Sequence, residues 1–139
     1  MTNDFDFSWM LGRCITGIHF DGSSQWRFSF EPELGIGIEC PWRLLLDGRV
    51  AISNEDHLQR YGLQSPLDAV AAARSLLASH TVVKVDVRDG TADLLVAFTG
   101  GLRLEALAIS SGYESWTVFG PSGSLVVAQG GGHLCVLQQ

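Results

Sequence analysis

Three features of this 139-residue chain predict an α+β fold of mostly antiparallel β meanders with one main helix near 66–79. Short apolar runs with every-other-residue alternation recur along the chain, separated by Asp-Gly, Gly-Gly and proline turns. One alanine-rich stretch of helical periodicity interrupts them. The order of runs before that stretch returns after it, so the chain reads as two pseudo-repeated halves, roughly 5–64 and 65–130, in a single domain 1–139 with a tail at 131–139.

Taken in order, residues 5–11 contain Phe5, Phe7 and Trp9 at strand spacing, but Gly12 is a natural helix stop and a helical turn is the favoured reading. Cys14 to Phe20 reads as a strand, and Asp21-Gly22 turns it. Trp26, Phe28 and Phe30 share one face of the next strand, with Arg27 and Ser29 on the other. Pro32 marks a turn. Leu34, Ile36 and Ile38 then line a face whose reverse carries Gly35 and Gly37, leaving room for a close neighbour. Pro41 breaks that ladder, Trp42 to Leu46 resumes it, and Asp47-Gly48 forms a hairpin into Arg49 to Ser53.

The polar stretch Ser53 to Gly62 is a loop with room for one helical turn. Ser65, Pro66 and Asp68 suit the cap, first position and capping-box acid of a helix running to about Ser79, with Leu67, Val70, Ala73 and Leu77 as its buried stripe. The second half follows as strands at Val82 to Val87, Leu94 to Phe98, Leu102 to Ile109, Trp116 to Phe119 and Leu125 to Ala128. His133 to Leu137 is either a last edge strand or a loose tail.

Superposing the halves pairs Trp26, Phe28 and Phe30 with Leu94, Val96 and Phe98. It pairs Leu34, Ile36 and Ile38 with Leu102, Leu104 and Ala106, and, after a six-residue insertion, Trp42 with Trp116. Two such meanders bury their apolar faces as a sandwich or partly open barrel.

Composition narrows function. The chain carries 15 acidic and 9 basic residues, a net charge of −6, and the bases are scattered. Without a basic cluster to neutralise phosphates, nucleic acid is not the expected partner. No apolar run approaches the ~20 residues that span a bilayer, so no membrane partner is expected either. Asp4 and Asp6 make the first residues unlike a secretory signal. Three cysteines, Cys14, Cys40 and Cys135, match no disulfide or zinc spacing, which points to a reducing, cytoplasmic setting.

Two tryptophan corners stand out: Glu39-Cys40-Pro41-Trp42-Arg43-Leu44 in mid-chain and Gly112-Tyr113-Glu114-Ser115-Trp116 near the end. With Leu11-Gly12-Arg13, these segments resemble a family of small bacterial proteins, common in actinobacteria, classed as a domain of unknown function. The resemblance covers most of the chain and implies no assigned activity. In size and style the family is similar to immunity-type proteins that protect bacteria from toxins.

The corners admit two readings. Arg43 stacked on Trp42 among Glu39, Glu114 and Trp116 could hold a planar polar ligand. The plainer reading buries the tryptophans and pairs Arg43 with Glu39 or Glu114. Glu55-Asp56-His57, with His19 and Tyr61 nearby in type, is the most enzyme-like cluster, yet three adjacent residues do not converge on one ion, so a solvated loop is the simpler account. His133 and Cys135 would share a strand face, and Cys40 beside Pro41 reads as buried and inert. No phosphate loop, nucleophile elbow or zinc motif is present.

The expectation is therefore a non-catalytic protein-binding module, immunity-like or accessory, without catalytic residues, cofactor or metal. Its partner is another protein, and the chain itself is a monomer or homodimer. The surfaces expected to carry binding are Glu55, Asp56, His57 and Tyr61 of the loop, and Glu39, Trp42, Arg43, Tyr113, Glu114 and Trp116 at the corners. The alternatives are a small-molecule binder or minor enzyme using a cleft between the halves, and a structural protein assembling through an edge strand.

Overall fold

The computed structural model describes residues 6–137. Its elements follow the alternation of the sequence. β1 is Gly17–Phe20, β2 Trp26–Glu31, β3 Leu34–Ile38, β4 Trp42–Leu46 and β5 Arg49–Ser53. Among the described residues one α-helix, α1, spans Ala69–Leu77. β6 is Val82–Val87, β7 Leu94–Phe98, β8 Leu102–Ala106, β9 Trp116–Phe119, β10 Leu125–Ala128 and β11 Leu134–Leu137.

The strands form two open antiparallel sheets, ordered β1-β2-β3-β9-β10-β11 and β5-β4-β8-β7-β6. With the helix they make an α+β, mostly-β, sandwich-like fold. The two meanders do not face each other as units. Each half crosses between sheets after its third strand, once at Pro41 and once between β8 and β9, so every sheet is built from both halves. The joining ladders repeat one register. Ile36 lies opposite Val118 and Ile38 opposite Trp116 in β3–β9; Leu104 lies opposite Leu44 and Ala106 opposite Trp42 in β8–β4. The inner faces bury Trp26, Phe28, Ile36, Trp42, Leu44, Val96, Leu104, Trp116 and Val118 in one core. Register follows from this burial, because a one-residue slip would turn these side chains to solvent.

The structure redraws several element boundaries. The segment before Gly12 is one 3-10 turn, Ser8–Met10, and Phe5 lies outside the described residues. The first strand begins only at Gly17, because residues 12 and 13 bond to Val82: the Gly12 N–H donates to the Val82 carbonyl, and the Val82 N–H to that of Arg13. The helix starts at Ala69 with Asp68 as its cap, not at Pro66 with Ser65. Leu67 is held extended by backbone bonds in both directions, donating to Gln59 and accepting from Leu58. The buried stripe is accordingly Ala69, Ala73 and Leu77. Of the two readings of the last residues, the edge strand holds: 134–137 pairs with β10. β8 also stops at Ala106, since the Leu107 N–H donates to the Pro41 carbonyl and the Ala108 N–H to Asp93 Oδ1.

α1 packs against β1 and β5. Arg74 Nη2 donates to the Ile18 carbonyl at 3.1 Å, satisfying an edge-strand acceptor from the helix.

Candidate functional site

The two tryptophan corners meet through the backbone. The Ser115 carbonyl accepts from both Glu39 N–H (2.8 Å) and Cys40 N–H (3.1 Å), and Leu107 N–H closes on Pro41. This places Glu39 and Glu114, both exposed, on the rim of one cleft of about 130 Å³ at the ends of β2, β3 and β9. Gly37, Thr117, Phe119 and Gln25 complete its wall, and Gln25 Nε2 donates to Glu39 Oε1 at 2.7 Å.

The tryptophans belong to the core. Trp42 and Trp116 are each 1% exposed. Trp42 stands edge-on to Trp26 and Phe28, with ring centroids 5.0 and 5.1 Å apart, and its indole N–H has no hydrogen-bond partner among the described residues. Trp116 differs: its indole N–H donates to the Ala92 carbonyl at 2.7 Å.

Arg43 is not part of this cleft. It lies on the outer face of the five-stranded sheet, where Nε donates to Glu105 Oε1 at 2.7 Å. Arg103 Nε sits 3.0 Å from Glu105 Oε2. The expected pairing of Arg43 with Glu39 or Glu114 is thus replaced by an Arg43–Glu105–Arg103 ladder in which Glu105 is 4% exposed. Glu105 was the residue to find in the sequence: Leu102-Arg103-Leu104-Glu105 alternates, so both charges must share the outer face, and β4 supplies the second arginine only through its register (Arg43 opposite Glu105).

The loop between β5 and α1 is ordered by its own polar groups. Asn54–Asp56 forms a 3-10 turn with a capping box: Ser53 N–H donates to Asp56 Oδ2 at 2.9 Å, and Glu55 N–H donates to Ser53 Oγ at 3.2 Å. The Tyr61 hydroxyl donates to Asp56 Oδ1 at 2.9 Å, which holds its phenol above the usual pKa. His57 Nδ1 accepts the Ala69 N–H at 3.0 Å, at the start of α1, so the ring proton sits on Nε2. Its ring stands edge-on to Phe20 and Trp26. Asp56 and His57 therefore build the loop, while Glu55 is exposed. His19 makes no contact with His57 of the kind Phe20 makes; it is exposed on β1. Among the described residues no three of His, Cys, Asp and Glu come together as metal ligands.

Two side chains that the sequence reading passed over, Leu58 and Leu63, join Tyr61 on the outside of this loop. Leu58 is 65%, Tyr61 66% and Leu63 51% exposed. Leu58 and Tyr61 also have positive φ, 67° and 44°, which costs backbone energy in residues other than glycine. Tyr113 is exposed as well, its N–H bound to Ser110 Oγ at 2.8 Å.

Between loop and corner lies a second cavity of about 420 Å³, lined by Phe20, Trp26, Pro41, Asn54, His57 and Leu58 and bounded by Glu39 and Cys40. Burial pushes the Cys40 thiol up to about 12, with Asp93 and Glu39 adding to it, so the thiol stays protonated and a poor nucleophile at neutral pH.

Residues 7–138 match the family of unknown function DUF6188. The chain belongs to this family. The match spans nearly the whole chain, in keeping with the three segments that carry the sequence resemblance, and assigns no activity. No curated protein and no solved structure matches it. No helix among the described residues is long and apolar enough to cross a membrane.

Proposed function

We propose that this member of the family is a non-catalytic protein-binding module, accessory or immunity-like in a bacterial, cytoplasmic setting. The observation that carries this reading is the 54–63 loop. It is fixed by a capping box, by Tyr61–Asp56 and by His57 on α1, yet it turns Leu58, Tyr61 and Leu63 to solvent beside the Glu55 carboxylate. Large apolar side chains held exposed on a strained, ordered loop lose little entropy on docking and gain the burial they lack in the free protein. The acidic surroundings and net charge of −6 favour a basic partner.

The test is a paired substitution, Glu55→Lys with Leu63→Ser. Asp56 is left in place because it caps the turn. Both positions are exposed, so the expected circular dichroism and melting point match the parent. Cross-linked affinity capture from the native host is expected to lose the stoichiometric polypeptide held by the parent. Undiminished capture of that polypeptide would reject the loop as the binding surface.

A further inference from the structure

Helix α1 packs against the edge strands β1 and β5. The edge at β6 is covered only at its start, where Val82 exchanges backbone bonds of 2.8 Å with Gly12 and Arg13. From Val83 onward the N-terminal segment diverges. It leaves a groove of about 380 Å³ with Asp6, Phe7 and Leu11 on one side and the strand from Val83 to Val87 on the other. Among the described residues no backbone hydrogen bond reaches 83–87 from that side. The direction of the free groups follows from the hairpin end. Arg88 N–H donates to the Asp93 carbonyl, towards β7. Bonding direction alternates along an antiparallel pair, so Asp86 and Lys84 also face β7, while Val87 and Val85 turn N–H and C=O to the open edge. Side chains alternate too. Val85 and Val87 share the inner side with Val96 and Leu94, and Lys84 and Asp86 stand exposed outside, 3.4 Å apart. Val83 is the extra residue of a bulge between Val82 and Lys84 and is 54% exposed.

We propose that the β6 edge pairs with the same edge of a second copy, antiparallel about a two-fold axis at Val85. Val85 then exchanges both backbone bonds with its counterpart. Lys84 lies opposite Asp86 of the second copy, and Asp86 opposite Lys84 of the second copy. A two-fold interface requires such self-complementarity, and Val83-Lys84-Val85-Asp86-Val87 has it: valine meets valine, and each charge meets its opposite. Charge also selects the occupant. A lysine and a bulge ordinarily keep strands off an open edge. Here the same chain supplies an acid at each facing position, whereas a parallel, in-register alignment would set Lys84 beside Lys84. The other uncovered edge, β11, reads Leu-Cys-Val-Leu and carries no charge to fix a register. Pairing at β6 joins the two five-stranded sheets into one, with β5 and the 54–63 loop at each far end. The dimer therefore leaves the proposed partner surface open, and the inference does not depend on that surface.

The test is a charge swap read by sedimentation equilibrium of the full chain, from micromolar to millimolar concentration. The parent is expected to show a monomer–dimer equilibrium, and the Val85 amide of isotope-labelled protein to gain protection from hydrogen exchange as the dimer forms. Lys84→Asp places two pairs of like charges across the axis and is expected to weaken the dimer about tenfold or more, as is Asp86→Lys. Lys84→Asp combined with Asp86→Lys restores opposite charges at every facing position and is expected to return the dimer to within about threefold of the parent. Both side chains are exposed, so all three variants are expected to keep the parent's circular dichroism and melting point. A parent that stays monomeric throughout, or a dimer whose Val85 amide exchanges as fast as in the monomer, would overturn the proposal. So would single variants as tight as the parent, or a double variant no tighter than the singles. Partner capture by the loop is a separate measurement, so either reading can fail without the other.

Discussion

The two ladders that join the halves are built on one register and finish with opposite outer surfaces. On β8–β4 the outward positions hold Arg103 and Glu105 opposite Leu45 and Arg43, and the face is sealed by a buried carboxylate between two guanidiniums. On β3–β9 the equivalent positions are Gly35 and Gly37 opposite Phe119 and Thr117, and the same place in the fold opens into a cleft. The inner residues explain the shared register, since Ile36, Val118, Leu44 and Leu104 are all buried to within 1%. Nothing comparable constrains the outside. One ladder fills it with charge pairs, and the other empties it with glycines. The difference shows where the core leaves the surface unconstrained: on the outward, glycine-bearing side of the ladder, where the cleft opens.

The largest effect should come from breaking the inner equivalence. Trp42→Ala and Trp116→Ala each remove a fully buried ring and are expected to cost roughly 3–5 kcal/mol in denaturant unfolding. The phenylalanine variants separate the two. Trp116→Phe leaves the Ala92 carbonyl without its indole donor, whereas Trp42→Phe removes an N–H that has no partner. Trp116→Phe is therefore expected to be the more destabilising of the two by about 1–2 kcal/mol. Equal losses would mean that the Ala92 bond contributes no net stability.

Much of this scaffold is legible in the sequence. The alternation of Trp26, Phe28 and Phe30, or of Leu102 and Leu104, states which side is buried, and Asp47-Gly48 states where a hairpin turns. What local pattern does not state is which strand lies next door. The partition of each half between two sheets depends on β3 meeting β9 and β4 meeting β8, contacts across more than fifty residues of chain in each case. The same blindness hid Glu105 as the partner of Arg43, and it misplaced the helix start, where Leu67 is claimed by backbone bonds to residues 58 and 59. At the candidate site, reading the corners as equivalent groups Glu39, Glu114 and Trp116, which line one cleft, with Arg43, which lies on the other sheet. Leu58 and Leu63 were missed because an apolar residue in a polar loop looks like ordinary loop composition until its exposure is known.

Opening the sealed face is the next test. Glu105→Ala removes a buried carboxylate that satisfies two arginines and leaves both guanidiniums without their acceptor. Because Arg43 and Arg103 are partly exposed and can turn to water, the expected loss is about 1–3 kcal/mol, below that for a fully enclosed pair. Arg103→Ala, which leaves Glu105 bonded to Arg43, is expected to cost less.

Closing the open face is the smallest perturbation and the most discriminating. A Cβ at Gly35 would lie 2.5 Å from the Phe28 carbonyl oxygen, a backbone atom that cannot step aside. Gly35→Ala is therefore expected to destabilise by about 1–3 kcal/mol through overpacking, with little said about binding. At Gly37 the nearest atom is Cε2 of Phe119, at 3.2 Å, and a ring edge can yield by a few tenths of an ångström. Gly37→Ala should then change stability by less than about 1 kcal/mol, because only a side chain has to shift. Its methyl group would stand in the floor of the cleft, against the Phe119 ring. If Gly37→Ala proves as destabilising in denaturant unfolding as Gly35→Ala, both glycines serve to let β2 and β9 close on β3, and the contrast between the two outer faces is one of packing alone.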